Sequence, residues 1–438
     1  MSTAFYNGAY TTSPPCRFAL FDAVFPGRAG DAARNKRCTE KEKRDMTSCY
    51  WKKLSGVTMA ALLMAGLAAG CGGGEKKSAG SDKEYVVGVN AELTGNVANY
   101  GKSMKSGFEL AVDEVNKAGG INGKKVRIVE ADNKSEPSES GNAATKLVTQ
   151  DKVIAVVGPA TSGAVAASEP ILTGAKVPLI APCATAPEIT VGKDGKTKQF
   201  VFRAAFIDPY QGEIMAKFAS EDKKFKKVAI LHDSSSDYSK GLSKVFTEKF
   251  TAAGGTITAD EAFLAKDIDF KAALTKIKAT NPDAVYIPGY YEEVAKIIKQ
   301  AREIGLNVPL LGSDGWDSPK LTEIAGKAAT NNCFFTNAYT AEDKDPGVQK
   351  FIQAYKAKFN KVPDVFAMEG YNAGLVLFNA LKTANTTDGT KLAEAIAKTK
   401  DLQVANGKFS YNEKHDPVTT ALVIEYKEGV QTLAKKIG

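Results

Sequence analysis

Short apolar segments alternate with helical patterns along the first part of the folded chain. Residues 85–89 are apolar and of strand length, and the positions after 103 repeat apolar residues at helical spacing until Gly119-Gly120. The same pattern predicts further strands at 126–129, 153–157 and 179–180, and helices at 137–150 and from about 164.

The alternation restarts after residue 227. It predicts strands at 228–231, 256–263, 284–287 and 310–311, and helices at 239–250, 269–280 and 292–304. Strand–helix alternation is typical of α/β folds with parallel sheets and helices on both faces. Two such runs predict two lobes, and ligands in these folds bind beyond the carboxyl ends of the strands.

Length and charge agree with two soluble lobes. The 438 residues exceed what one hydrophobic core usually organises. The formal charge is +8, but residues 1–70 hold ten Lys/Arg and five Asp/Glu, so the other 368 residues carry about +3. Lysines at 223, 224, 226 and 227 cluster between two elements, which favours a solvated loop over a nucleic-acid patch. We therefore expect no nucleic-acid partner.

The chain is poor in residues that bind metals or catalyse reactions. Only His232 and His415 are histidines, and only Cys183 and Cys333 follow position 71, without metal-like spacing. Gly95 to Ser103 nearly matches a phosphate-binding loop, but five residues separate its glycines where the motif has four. We predict no metal, no cofactor, no catalytic residues and no enzymatic activity; detectable ATP binding would revive an ATPase.

The N-terminal region is typical of an export signal. Two lysines at 52 and 53 precede an apolar run at 54–69, which is too short for a confident membrane span. The run ends in Leu67-Ala68-Ala69-Gly70-Cys71, which resembles a bacterial lipobox with Ala68 where a larger apolar residue is usual. We predict an N-terminal extension plus lipoprotein signal peptide over 1–70, lipidation of Cys71, and a flexible tether over 71–84. An ordinary signal peptide with an incidental cysteine is the alternative.

Residues 1–45 show no coherent periodicity and precede a plausible start at Met46. We interpret them as the product of a mis-assigned start codon. Peptides from 1–45 found in the precursor by mass spectrometry would contradict this hypothesis.

Two loops after predicted strands carry groups suited to a small charged ligand. Ser162 and Gly163 fall at a helix N-terminus, where free N–H groups favour an anion, although Ser is also an ordinary cap. The proline-flanked loop 181–187 presents the Cys183 carbonyl and the Thr185 hydroxyl, or serves only as a rigid connection.

The second run of strands offers an acid and aromatic rings. Asp314 follows the strand at 310–311 and is placed to pair an ammonium group, with Trp316 as a possible pocket wall; a turn acid beside a packing Trp is the alternative. Tyr100, Tyr238 and Tyr290 also follow strands, and three such tyrosines in equivalent loops predict an aromatic-lined cleft.

The order of these motifs resembles the periplasmic leucine/isoleucine/valine-binding protein family, the type I solute-binding receptors of ABC importers. The resemblance covers roughly residues 85–438. It rests on Leu93-Thr94-Gly95, Gly119-Gly120-Ile121-Asn122-Gly123, Ala184-Thr185-Ala186-Pro187, His232-Asp233, Pro288-Gly289-Tyr290, Asp314-Gly315-Trp316 and Glu369-Gly370-Tyr371.

The resemblance implies roles for individual residues. Ser162 and Thr185 match positions that bind a ligand α-carboxylate, and the Cys183 carbonyl, the Thr185 hydroxyl and Asp314 match those that hold the α-ammonium. Asp314 is shorter than the Glu that is frequent in the family. The side-chain walls would be Tyr100, Tyr238, Tyr290 and Phe366. A disulfide found in some relatives is absent because Ala160 stands at one expected position, so Cys183 and Cys333 should be unpaired.

The family resemblance also implies the domain plan and the partners. Lobe 1 would comprise 85–203 and 339–407, and lobe 2 would comprise 204–338 and 408–438, joined by a three-strand hinge with crossings near Arg203, Ala338 and Gly407. Closure of the lobes on a free amino acid, branched-chain or otherwise small and apolar, would be followed by docking on an ABC permease. The protein would be a monomeric lipoprotein of the periplasm or cell envelope. Alternatives are an amide, urea or aromatic-acid ligand, or a sensor for a signalling partner.

Overall fold

A computed structural model describes residues 84–437 of the chain. The strands are β1 Glu84–Ala91, β2 Lys125–Asp132, β3 Ala155–Val157, β4 Leu179–Ala181, β5 Val201–Arg203, β6 Lys227–Asp233, β7 Thr256–Phe263, β8 Ala284–Tyr286, β9 Leu310–Gly312, β10 Cys333–Asn337, β11 Leu402–Val404, β12 Gly407–Phe409, β13 Ala421–Lys427 and β14 Val430–Ile437. The predicted extension, signal peptide, Cys71 and most of the tether lie outside the described residues.

The α-helices are α1 Ala98–Lys117, α2 Pro137–Thr149, α3 Ser162–Gly174, α4 Asp208–Lys217, α5 Asp237–Ala252, α6 Lys271–Ala279, α7 Tyr291–Glu303, α8 Pro319–Ala325, α9 Pro346–Phe359, α10 Val365–Ala384 and α11 Gly389–Ala397. Short helical turns occupy Pro187–Ile189, Phe218–Asp222 and Asp314–Trp316. In the part of the chain that the structure describes, we find no helix with the length and hydrophobicity of a membrane span.

Lobe 1 is built on a five-stranded sheet in the order β2-β1-β3-β4-β5, with every neighbouring pair parallel. Its central strands are buried, as parallel strands covered by helices on both faces must be. Helices α1 and α10 pack against each other closely. A Cβ at Gly107 would meet the Ala367 carbonyl oxygen at 1.8 Å, and one at Gly370 would meet the Met104 carbonyl oxygen at 2.1 Å. These two glycines therefore set the separation of the helices.

Lobe 2 is built on a seven-stranded sheet in the order β14-β13-β10-β9-β8-β6-β7. Strands β6 to β10 are parallel, which confirms the predicted α/β fold with two lobes. The last two strands are antiparallel and join through Glu428 and Gly429, both with positive φ, as a two-residue hairpin requires. The sheet is thus mostly rather than wholly parallel.

Three connections join the two sheets. They are the segments between β5 and α4, between β10 and α9, and between β12 and β13, at 204–207, 338–345 and 410–420. The residue boundaries given above for the two lobes stay a prediction. The carboxyl ends of the strands of both sheets face the region where the candidate site lies.

Candidate functional site

One cavity between the two lobes gathers the eight residues that the sequence predicts as ligand-binding, but not Trp316. Its lining includes Tyr100, Ser162, Cys183, Thr185, Tyr238, Tyr290, Asp314 and Phe366, together with Ala160, Thr161 and Gly315. The space between the lining atoms is about 240 Å³ when the solvent at its mouth is included. The binding role of each residue stays a prediction.

Asp314 begins the short helical turn that follows β9, and one of its oxygens is fully engaged. Its Oδ1 accepts hydrogen bonds from the Tyr238 hydroxyl at 2.6 Å, from Gln211 Nε2 at 3.0 Å and from the Gly315 N–H at 3.0 Å. No hydrogen bond within residues 84–437 reaches its Oδ2. The carboxylate is thus held by one oxygen, and the other remains for a ligand.

Burial raises the pKa of Asp314 to about 6, although the hydrogen bonds from Tyr238, Gln211 and Gly315 lower it. The nearby carboxylate of Asp317 raises it further. A cation placed against Oδ2 would favour the ionised form and lower this pKa. The site is therefore electrostatically prepared for a positively charged group.

Helix α3 begins at Ser162, and its N-terminus is partly occupied by an internal anion. The Glu92 carboxylate accepts from the N–H of Ala160 at 3.0 Å, the N–H of Thr161 at 3.2 Å and the Thr161 hydroxyl at 2.9 Å. The N–H groups of Ser162 and Gly163 have no partner within the described region, as expected in a first helical turn. Of these two residues, Ser162 lines the cavity and Gly163 is exposed.

The loop after β4 is shaped by a buried arginine. The Arg203 guanidinium donates to the carbonyl oxygens of Ala184 at 3.3 Å and Ala186 at 2.8 Å, and it forms an ion pair with Asp416 at 2.6 Å. The Thr185 carbonyl accepts from the Asp208 N–H at 3.0 Å. The loop that carries Cys183 and Thr185 is therefore tied to both lobes.

Both cysteines within the described residues, Cys183 and Cys333, are free, which confirms that they are unpaired. Burial raises the pKa of the Cys183 thiol well above its usual value, and the neighbouring Glu369 raises it further. The thiol is therefore protonated and unreactive at neutral pH. What Cys183 offers a ligand is its backbone carbonyl and its small volume.

Aromatic rings form the opposite wall. Tyr238 and Tyr290 stack with centroids 5.1 Å apart, and Tyr100 contacts Tyr290 at 5.7 Å and Phe366 at 4.3 Å. The Tyr100 hydroxyl donates to the Gly315 carbonyl and accepts from the Tyr291 N–H at 2.9 Å. Tyr100 belongs to lobe 1 and both partners to lobe 2, so this residue joins the lobes across the cavity.

The prediction that these tyrosines lie in loops is wrong for two of them, and for Trp316 the alternative of a packing residue is the one that holds. Tyr100 and Tyr238 lie in the first turns of α1 and α5 rather than in loops, because those helices begin earlier than the apolar pattern indicated. Trp316 does not line the cavity. Its ring is fully buried and its Nε1 donates to the Ile287 carbonyl at 3.0 Å, so it packs beneath the site.

The sequence analysis missed the side chains that hold the site from behind. Gln211 binds Asp314 through both ends of its amide, and its Oε1 also accepts from Thr336 at 2.8 Å. Glu92 and Arg203 hold the two lobe 1 loops. Of these residues, only Glu92 had a feature in the sequence that could have marked it as a site residue, because it directly follows the end of β1.

Two lobes that enclose a cavity lined by polar groups and aromatic rings are typical of a solute-binding protein. A family model described as periplasmic binding protein matches residues 84–431. A Leu/Ile/Val-binding protein of Rhizobium johnstonii is 36% identical over 334 residues, which cover 76% of this chain and 89% of that protein.

Two solved structures agree. The branched-chain amino acid transporter substrate-binding protein LivJ of Streptococcus pneumoniae, in complex with isoleucine, has a TM-score of 0.76 and 39% identity over 81% of this chain and 99% of that one. The leucine-binding protein LivK of Thermotoga maritima has a TM-score of 0.76 and 35% identity, and the match covers 81% of this chain and 98% of that one. The chain belongs to the periplasmic binding protein family. Members of this family are extracytoplasmic solute-binding proteins of transporters and not enzymes. The predicted extracytoplasmic location and the predicted lack of enzymatic activity are therefore confirmed.

Proposed function

We propose that this protein captures a branched-chain aliphatic amino acid, such as leucine or isoleucine, and delivers it to an ABC permease. The observation that carries the proposal is the one cavity whose lining joins Asp314, with its unengaged Oδ2, to Ser162 at the N-terminus of α3. A zwitterion has one positive and one negative group at its head. Each buried ligand charge would therefore meet a partner of opposite polarity.

The head group would bind mostly to lobe 1 and be completed by lobe 2. Ser162 and Gly163 would donate to the carboxylate, with the Thr185 hydroxyl beside them. The Cys183 carbonyl and the Asp314 carboxylate would accept from the ammonium. Charge-assisted hydrogen bonds of this kind are shorter and stronger than neutral ones.

The ligand side chain would lie against the rings of Tyr100, Tyr238, Tyr290 and Phe366. This wall is apolar on its faces, and the tyrosine hydroxyls of Tyr100 and Tyr238 are already bonded within the protein. A charged side chain would lose its hydration there without gaining a partner.

Closure of the lobes would complete the site. Besides Tyr100, Asn96 of lobe 1 donates to Glu293 of lobe 2 at 3.1 Å, and Lys266 pairs with Glu136 across the same cleft. The described conformation therefore has the lobes in contact. A ligand that touches both lobes favours this form by its differential affinity for it. The closed form would be the one that docks on the permease.

A lipid anchor at Cys71 would hold the protein at the membrane as a monomer on a polar tether. We expect mature protein in the membrane fraction of cells and Cys71→Ala in the soluble fraction. The mass of the mature N-terminus, with or without diacylglycerol, distinguishes lipidation from ordinary signal cleavage. Fractionation that is the same for both proteins would refute the anchor.

The direct test of the ligand class is native mass spectrometry of the freshly purified protein, followed by calorimetric titration of the stripped protein. We expect retained leucine, isoleucine or valine, and saturable binding of the same compounds. Benzoate, acetamide and urea serve as the competing ligand classes because they lack an ammonium group. Binding of one of these, with no binding of the amino acids, would overturn the proposal.

A further inference from the structure

A second cavity lies beside the three segments that connect the lobes. Its volume is about 1,000 Å³, including space open to solvent. It is lined by residues of the connection at 204–207, by Ala338, by residues of α10 and by residues between 404 and 420. Its apolar lining comprises Phe206, Met368, Val404, Phe409, Pro417 and Val418. Every connection between the lobes contributes to this hinge cavity, so its shape depends on the angle between them.

A buried carboxyl group forms part of this wall. Glu369 lies on α10, its side chain is 2% exposed, and its Oε2 has no hydrogen-bond partner within the described residues. A buried polar oxygen without a partner is unfavourable and calls for an explanation. The Cys183 thiol of the ligand cavity lies near enough to this carboxyl to lower its pKa. Glu369 therefore separates the two cavities.

The surroundings of Glu369 favour a cation. Burial raises the pKa of this carboxyl well above its ordinary value, and the nearby acids Asp314, Asp317 and Asp364 raise it further. Lys408 is the one basic residue among those that line the cavity, and it is exposed at its mouth. Burial therefore disfavours the ionised form of Glu369, and a positive group placed against the carboxyl would favour that form and lower its pKa.

We propose that the hinge cavity binds a small organic amine, with the ammonium on Glu369 and the apolar part against the aromatic and aliphatic wall. The cavity has this shape in the conformation whose lobes are in contact. A molecule that fits it stabilises that conformation. Occupancy therefore raises the affinity of the main site for its amino acid, and the effect is reciprocal.

The test uses phenethylamine as probe and protein saturated with leucine, so that the main site is blocked. Calorimetric titration should show saturable binding of phenethylammonium and at least tenfold weaker binding of its uncharged isostere 2-phenylethanol. Equal binding of the two compounds, or no saturable binding of the amine, would overturn the site.

Three variants locate the probe. Glu369→Gln should weaken amine binding at least tenfold, and Lys408→Met should strengthen it because a competing charge is removed. Val418→Arg changes a side chain that is 72% exposed, so it should fold normally and still weaken the amine by repulsion. Amine binding that is unchanged in Glu369→Gln and in Val418→Arg would refute the assignment.

Coupling is measured as the leucine dissociation constant with and without saturating phenethylamine. We expect a decrease of about fivefold or more, the lower end of common allosteric couplings. An unchanged constant would refute the coupling. If leucine does not bind at all, the proposed main function fails. Amine titration of the unliganded protein and of Glu369→Gln still shows whether the hinge cavity binds the amine.

Discussion

The two lobes present different kinds of groups to the ligand cavity. Lobe 1 offers neutral groups whose positions follow from the backbone: the N–H of Ser162, the carbonyl of Cys183 and the hydroxyl of Thr185. Lobe 2 offers a charge, Asp314, and rings held by hydrogen bonds between side chains. Under the proposed function, lobe 1 would bind the carboxylate with neutral groups, whereas the charged partner of the ammonium would arrive only when lobe 2 closes.

This division predicts that changes in lobe 2 affect discrimination among ligands, and changes in lobe 1 affect affinity for every carboxylate ligand. Helix N-termini bind anions regardless of what the rest of the ligand carries. A buried carboxylate accepts only a cation or a hydrogen-bond donor.

Asp314→Ala should have the largest effect. Loss of one partner of a buried charge pair costs about 2–5 kcal/mol, which leaves leucine binding near or below detection. Titration calorimetry measures the affinity, and thermal unfolding checks that the variant folds. Glu248→Ala, an exposed acid on α5 of the same lobe, is the matched control and should bind as the wild type does. Unchanged affinity in Asp314→Ala would refute its role.

Ser162→Ala should weaken leucine binding by about 1–3 kcal/mol, because a hydrogen bond to a charged group is lost while the backbone N–H remains. The loss should be similar for leucine, isoleucine and valine, since all share the carboxylate. Thr173→Ala, at the far end of the same helix, controls for helix stability. If affinity does not fall, the carboxylate binds elsewhere.

Acidification should weaken binding by about tenfold per pH unit below pH 6. Asp314 has a pKa raised to about 6 by burial, and it must be ionised to pair an ammonium. Because the pKa of this acid is raised in the folded state, its ionisation lowers the free energy of unfolding of the ligand-free protein as pH rises from about 4 to about 6. Bound ligand offsets this loss of stability because its ammonium pairs with the ionised acid. Affinities at pH 7.5, 6 and 5 measure the effect; a flat profile contradicts it.

Gln211→Leu should have the smallest effect, about 1 kcal/mol or roughly fivefold in affinity, because Asp314 keeps its bonds from Tyr238 and Gly315. Unfolding stability should also fall, since Thr336 loses its acceptor. A loss as large as that of Asp314→Ala would mean that Gln211 itself contacts the ligand. No loss of affinity would mean that Asp314 needs no support from α4.

The sequence predicted the local features of the site but not the long-range contacts that support it. Strand ends and helix starts are local features of the sequence. For this reason β7 was predicted with both of its bounds, and the loops bearing Ser162, Thr185 and Asp314 were found as well. Gln211 lies 103 residues from Asp314, and nothing local marks it as a partner. The start of α1 was missed because Val97 provides no side-chain cap. Long-range hydrogen bonds between side chains need the folded structure.

The central claim is that Asp314 recognises the ligand ammonium. The most direct measurement compares leucine with 4-methylpentanoate, which lacks only the ammonium, in wild type and in the isosteric variant Asp314→Asn. We predict that wild type prefers leucine by at least a hundredfold and that Asp314→Asn loses most of this preference while it still binds the carboxylate. An undiminished preference for leucine in Asp314→Asn would contradict the account.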